Sequence, residues 1–137
     1  IVGSVRMLKD IRESRGCIRI FYDGKKVTTL LPDSKIEIWE FGHIICYKGR
    51  IVTFGDVFVE AWGGRVFAKN KTRVVAYQNT EVRAGGRTKV RALDSSRVIA
   101  GGRAEVFLDG ESLGYKWPRS RAKMNVLDNR VKVFNLN

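Results

Sequence analysis

Cationic side chains are the residues of this chain whose number and spacing could do chemistry, because arginine and lysine bind phosphate and sulfate groups. The sequence of 137 residues has 26 Lys and Arg against 14 Asp and Glu, a formal net charge of +12. Solubility of a small domain requires a charge of only about 2 to 8. The excess attracts polyanions such as nucleic acid, an anionic glycan or an acidic membrane surface. The alternative, that the charge serves solubility alone, stays open.

Two segments concentrate these cations. Residues 83–91 hold four cations and no acid, and residues 114–137 hold six cations and one acid. Tyr115 and Trp117 lie beside the second group, where an aromatic ring could stack on a base or a sugar. Trp117 could equally cover the last coil of a repeat. The predicted polyanion-binding residues are Arg83, Arg87, Lys89, Arg91, Arg103, Lys116, Trp117, Arg119, Arg121 and Lys123.

Catalytic and metal-binding constellations are sparse in the sequence. His43 is the one histidine, and Cys17 and Cys46 lack the spacing of metal ligands. Glu37 and Glu40 would face opposite sides of a strand, which does not suit an acid/base pair. We therefore predict that the protein is not an enzyme, with no catalytic residue, cofactor or metal. An enzyme acting on an anionic polysaccharide remains the weakest alternative.

Many of these cations lie within an eight-residue sequence repeat, whose structure would therefore determine where they stand. Valine recurs at every eighth residue, at positions 66, 74, 82, 90, 98 and 106. Around each valine the residues read small, charged, Val, variable and Ala, with Leu in the last repeat, which is the in-and-out alternation of a β-strand. Turn-forming residues such as Gly85-Gly86 and Asp94-Ser95 separate these strands. A helix would carry the valine about 80° further round its axis at each repeat.

A second period of sixteen residues indicates how the strands are arranged. Gly-Gly occurs at 85–86 and again at 101–102. The sequence therefore predicts an all-β fold, a short two-sheet parallel β-solenoid with about 16 residues per coil. Stacking would place Glu81 between Arg65 and Arg97 on one face, with Arg83 beside this column. Lys89 would stand in a column on the other face, with Arg91 beside it. These charges could bind an anion, or they could only hold the coils in register.

Both ends of a solenoid need covers, since bare ladder edges invite aggregation. We predict a β-rich N-terminal cap with a short helix through Val5, Leu8 and Ile11, where apolar residues recur every three positions. Two hairpins are predicted in the same cap, at Asp23-Gly24 and Lys48-Gly49.

The predicted boundaries follow from where the repeat starts and stops. Residues 1–56 form the N-terminal cap, residues 57–113 the solenoid repeats, and residues 114–137 a basic loop and a C-terminal capping strand. The chain starts at Ile1 and not at Met, so we expect a fragment or a trimmed chain.

The repeat units VRALDSSR, VIAGGRAE, VEAWGGR and VVAYQNTE resemble the octapeptide β-solenoids of uncharacterised bacterial and phage-encoded proteins. The resemblance covers about residues 57–113. It implies a structural or binding role without catalysis, often in a phage or prophage setting. This chain carries more arginine at the outward positions than that pattern does.

The sequence thus favours a non-enzymatic β-solenoid module that binds a polyanion, with nucleic acid as the first choice. Its Arg and Lys ladders would contact phosphates. The alternative is a phage-type structural or protein-interaction component, such as a particle part or an inhibitor of a host complex. We expect no membrane span, a cytoplasmic or virion-associated location, and a possible homo-oligomer.

Overall fold

A computed structural model describes residues 8–14, 17–29, 35–47 and 49–136, with side chains for residues 43–47 and 49–136. Thirteen strands and no helix occur in these residues. The strands are β1 (Leu8–Ser14), β2 (Cys17–Thr29), β3 (Lys35–Cys46), β4 (Arg50–Ala61), β5 (Arg65–Ala68), β6 (Arg73–Ala76), β7 (Glu81–Ala84), β8 (Lys89–Ala92), β9 (Arg97–Ala100), β10 (Glu105–Leu108), β11 (Leu113–Lys116), β12 (Lys123–Val126) and β13 (Lys132–Asn135).

The short strands stack in parallel as two ladders. The odd ladder contains β5, β7, β9, β11 and β13, and the even ladder contains β6, β8, β10 and β12. β4 belongs to both, because its residues 50–53 pair with β5 and its residues 58–61 pair with β6. Glu81 pairs with Arg97, which lies sixteen residues further on. The predicted two-sheet parallel β-solenoid is confirmed.

Small apolar side chains fill the space between the ladders. The valine and alanine positions of the repeat point inward, and Val66, Val82 and Val98 have no exposed surface. The flanking positions of each strand are more exposed, as the alternation in the sequence predicts. Because valine and alanine are short, the two ladders approach closely, and apolar burial between them stabilises the stack.

The turns explain the polar residues of the repeat. Thr88 is fully buried, and its hydroxyl donates to the carbonyl of Gly85 at 2.6 Å, which closes the turn before β8. The middle residue of each turn from the one after β5 to the one after β10 takes a left-handed conformation, with φ of +59° at Gly86 and +57° at Gly102. A Cβ on Gly102 would stand 2.8 Å from the amide nitrogen of Gly86, so this glycine also permits close stacking.

The N-terminal segment differs from the prediction. Leu8 and Ile11 lie in strand β1 and not in a helix, while Val5 falls outside the described residues. β1 pairs with β2, the next strand along the chain, in an antiparallel register, and this cross-strand pairing outweighs a weak helical pattern. The predicted hairpin at Asp23-Gly24 is also wrong, because both residues lie inside the single strand β2, where the register shifts.

The predicted hairpin at Lys48-Gly49 is wrong as well. β3 and β4, which flank it, pair in parallel along their whole lengths. Gly49, with φ of +96°, therefore belongs to a solenoid corner, and Lys48 lies outside the described residues. Turn-forming residues indicate that the chain changes direction. They do not specify with which strand, or in which direction, the next strand pairs.

The solenoid continues past the point where the repeat fades from the sequence. β11, β12 and β13 pair in parallel with the strands before them, so residues 114–137 are not simply a loop and one strand. Glu105 pairs with Lys123 and Leu113 with Lys132, eighteen and nineteen residues further on. The longer turns break the eight-residue spacing of the sequence, but the strands still stack in parallel.

Candidate polyanion-binding site

Stacked turns form the two edges of the solenoid, and the two edges differ in charge. We call the edge made by the turns after β5, β7, β9 and β11 the basic edge. These turns carry six cations and no acid: Lys69, Lys71, Arg87, Arg103, Arg119 and Arg121. The turns after β6, β8, β10 and β12 form the acidic edge. They carry four acids and one cation: Asp94, Asp109, Glu111, Asp128 and Arg130.

Four cations of the basic edge stand in one column, which we call the cation ladder: Lys71, Arg87, Arg103 and Arg121. The amides of the three arginines each donate to a carbonyl of the preceding turn, at 2.7–2.8 Å, and this hydrogen bonding sets the column. Neighbouring members are therefore about 4.8 Å apart along the backbone stack. All four side chains are exposed, and none forms an ion pair in the described part of the chain.

The acidic edge contains the most perturbed carboxylate among the described residues. Asp128 accepts from the Arg130 guanidinium at 2.9 Å, and this hydrogen bond lowers the pKa of Asp128 to about 2. The same contact raises the pKa of Arg130. Arg130 also lies 3.6 Å from Glu111 of the coil before. The single cation of this edge is thus occupied by two carboxylates.

The structure divides the predicted site residues among three surfaces. Arg87, Arg103, Trp117, Arg119 and Arg121 lie on the basic edge. A second group lies on the outer face of the even ladder, next to that edge: Lys89, Arg91 and Lys123. A third group lies on the odd ladder: Arg83 and Lys116.

Arg83 lies on the opposite face from Lys89 and Arg91, as the sixteen-residue stacking predicts, so the four cations of residues 83–91 do not form one anion-binding patch. The turn between β7 and β8 reverses the chain and sends these side chains to opposite sides of the solenoid. Arg83 lies 3.6 Å from Glu81 and places its guanidinium carbon 5.4 Å from the centre of the Phe67 ring. These contacts make Arg83 part of the odd face.

Sequence reasoning missed Lys69 and Lys71, which share the basic edge with the predicted arginines. Lys71 occupies the same turn position as Arg87, sixteen residues earlier. Comparing turns two repeats apart would have found it. The predicted column of Arg65, Glu81 and Arg97 is confirmed, with Arg65 Nε 3.8 Å from Glu81 Oε2.

Trp117 lies on the basic edge and not over the end of the solenoid. Its side chain is 51% exposed, and β12 and β13 follow it in the stack. Its Cδ1 lies 3.1 Å from where a Cβ on Gly101 would stand, so the indole rests against the bare backbone of that glycine. This position leaves the ring accessible to a ligand.

His43 is a strand residue, as predicted, and it pairs with a carboxylate on the outer face of the even ladder. Its Nε2 lies 2.8 Å from Glu60 Oε1, and its ring meets Phe58 edge-on at 4.7 Å. Within the described ranges, no group of three or more His, Cys, Asp or Glu residues could hold a metal ion. The same residues include no helix capable of crossing a bilayer.

The fold places this chain in the class of two-sheet parallel β-solenoids. No protein-family model, no curated protein and no solved structure matches it. The resemblance to phage-type octapeptide solenoids therefore remains a prediction, and the charges and grooves of the surface are the features that bear on function.

Proposed function

We propose that this protein is a non-enzymatic module that binds a polyanion, nucleic acid first of all, through its phosphate groups. The cation ladder carries the proposal. Lys71, Arg87, Arg103 and Arg121 are exposed, stacked at regular intervals and unpaired with any described acid. Four like charges held about 4.8 Å apart repel one another, and a polyanion relieves that repulsion.

The acidic edge supports the same proposal because it restricts the site for an anion to one side of the molecule. Phosphates would be repelled from Asp94, Asp109 and Glu111 and attracted to the opposite edge. Lys89 and Arg91 of the even ladder extend the positive surface away from the cation ladder. Contacts of this kind read the backbone of a nucleic acid and confer little sequence specificity.

A salt titration tests the proposal. We expect labelled single-stranded and duplex DNA to bind with an affinity that falls steeply as sodium chloride rises, because binding releases condensed counterions. Removing two contacts with Arg87→Gln and Arg103→Gln should flatten the log–log slope by about 1.4 for single strands.

The matched control removes the same charge from another face. Arg65→Gln and Arg97→Gln lie on the odd ladder, in the column that contains Glu81. We expect this pair to change the slope much less. A flat salt response, or an equal loss in both double variants, would remove the proposal.

The second candidate function is binding to another protein, and the exposed apolar residues of the last coil favour it. Val126 and Val133 occupy inward positions of the repeat, yet they are 53% and 40% exposed. The free sides of β12 and β13 lie beside them. If this second function is correct, light scattering should show a stable oligomer or a complex with a partner protein, and nuclease treatment should not prevent its formation.

A further inference from the structure

A surface groove of about 580 Å³ lies on the outer side of the odd ladder, beside the basic edge. Its apolar lining includes Phe67, Ile99 and Trp117, and two cations, Lys69 and Arg83, also line it. Such a groove suits a flat, largely apolar ring that is joined to a negative charge.

Two glycines open this groove. The first turn position after β5, β7, β9 and β11 holds Lys69, Gly85, Gly101 and Trp117 in successive coils. A Cβ on Gly85 would meet no atom within 4 Å, so the space above it is empty of protein. Trp117 lies against Gly101 and forms the far wall.

Aromatic contacts hold the groove's cations in place. Arg83 lies over the Phe67 ring at 5.4 Å, and the Lys69 ammonium lies 5.1 Å from the centre of the Phe54 ring. Both charges therefore remain near the apolar lining. Arg83 also lies 3.6 Å from Glu81, so Lys69 is the better placed of the two to meet an anionic group.

The cation ladder is the groove's immediate neighbour. Arg87 and Arg103 follow Gly85 and Gly101 by two residues, and two residues span at most about 7 Å. Gly86, which stands between Gly85 and Arg87, has no side chain to block the way. A phosphate on the ladder and a ring in the groove could thus belong to one nucleotide.

We infer that the groove receives an unstacked base of a single-stranded nucleic acid, which stacks on Trp117 while the adjacent phosphates contact the cation ladder. This inference rests on the proposed function and adds the class of ligand. Duplex DNA fits less well, because its bases are already paired and stacked and turning one out costs a few kcal/mol.

The experiment compares three probes at one salt concentration: a short oligothymidylate, an abasic deoxyribose-phosphate strand of the same length, and a duplex. Stacking of a base on an aromatic side chain should make the wild-type protein bind oligothymidylate at least about fivefold more tightly than the abasic strand. The duplex should resemble the abasic strand, because it offers no free base.

Two variants locate the effect in the groove. Gly85→Leu fills the empty space, and Trp117→Ala removes the wall. Both should abolish the preference for oligothymidylate over the abasic strand, because they remove the place for a base and retain the ladder. Gly85→Ala is the matched control for the first, and Trp117→Phe, which keeps a ring, should retain most of the preference for a base.

The outcomes separate the two proposals. Equal binding of oligothymidylate and the abasic strand by the wild-type protein would overturn the inference, while salt-sensitive binding of both would leave the proposed function standing. Binding of neither strand would remove both. If Gly85→Leu does not fold, as judged by circular dichroism, the two Trp117 variants decide. Tighter binding of an acidic peptide than of oligothymidylate would also overturn the inference.

Discussion

Arg103 lies directly above Arg87, one coil further along the solenoid, because the two residues hold the same position in successive turns of the basic edge. Their amides each donate a 2.8 Å hydrogen bond to the turn below. The backbone thus holds two like charges about 4.8 Å apart at their bases. This repulsion opposes folding, and a bound anion would relieve it, as the proposed function requires.

The first prediction follows from this repulsion. Arg87→Gln should raise the free energy of unfolding by a few tenths of a kcal/mol at low ionic strength, because it removes like charges from adjacent coils. Added salt should erase the gain by screening. Urea denaturation at two salt concentrations measures both effects. Arg97→Gln, which removes an arginine beside Glu81, is the control and should not stabilise the protein.

The second prediction concerns the glycines of the basic edge. Gly102→Ala should destabilise the protein by about 1–3 kcal/mol, because Gly102 has φ of +57° and its Cβ would approach the amide of Gly86. Gly85→Ala should be neutral or slightly stabilising, since the added methyl group meets open space and restricts the unfolded chain. Chemical denaturation compares the two. Equal losses would contradict the assigned turn geometry.

The third prediction uses two serines at the same repeat position. Ser96 donates its hydroxyl hydrogen to the Leu93 carbonyl at 2.7 Å, whereas the hydroxyl of Ser112 is buried with no partner among the described residues. Ser96→Ala should therefore cost about 1 kcal/mol. Ser112→Ala should be neutral or stabilising, because it removes a polar atom that has no hydrogen bond. Thermal or urea unfolding of the two variants provides the comparison.

The fourth prediction concerns pH. Arg130 lowers the pKa of Asp128 from 3.8 to about 2 in the folded protein. A lowered folded-state pKa gives stability that is present above the unfolded pKa and is lost as pH falls from about 4 towards 2. An NMR titration of the Asp128 carboxyl should show the low pKa in the wild-type protein. In Arg130→Gln the pKa should return towards 3.8, and no change would mean that the contact does not form.

The repeat region is the part of the fold that could be predicted from the sequence. Valines eight residues apart, with alanine two residues later, must all face the same way in a strand of period two, and the structure buries Val66, Val82 and Val98 together. The sixteen-residue spacing of Gly86 and Gly102 likewise places them in adjacent turns. Regular local patterns carry this information because each coil repeats the contacts of the one before.

The ends of the solenoid and the shape of the candidate site could not be derived in the same way. Turn signals at Asp23-Gly24 fit a hairpin as well as a bent strand, and only pairing with distant strands decided between them. The sixteen-residue period predicts opposite faces for Arg83 and Lys89, and the structure confirms it. The groove beside Arg83 was not predicted, because it depends on how Phe67 and Trp117 of different coils are placed. The sequence by itself determined the period of this protein and its excess of positive charge. The stacking of the coils decided which cations stand together, because that depends on contacts between residues sixteen or more positions apart.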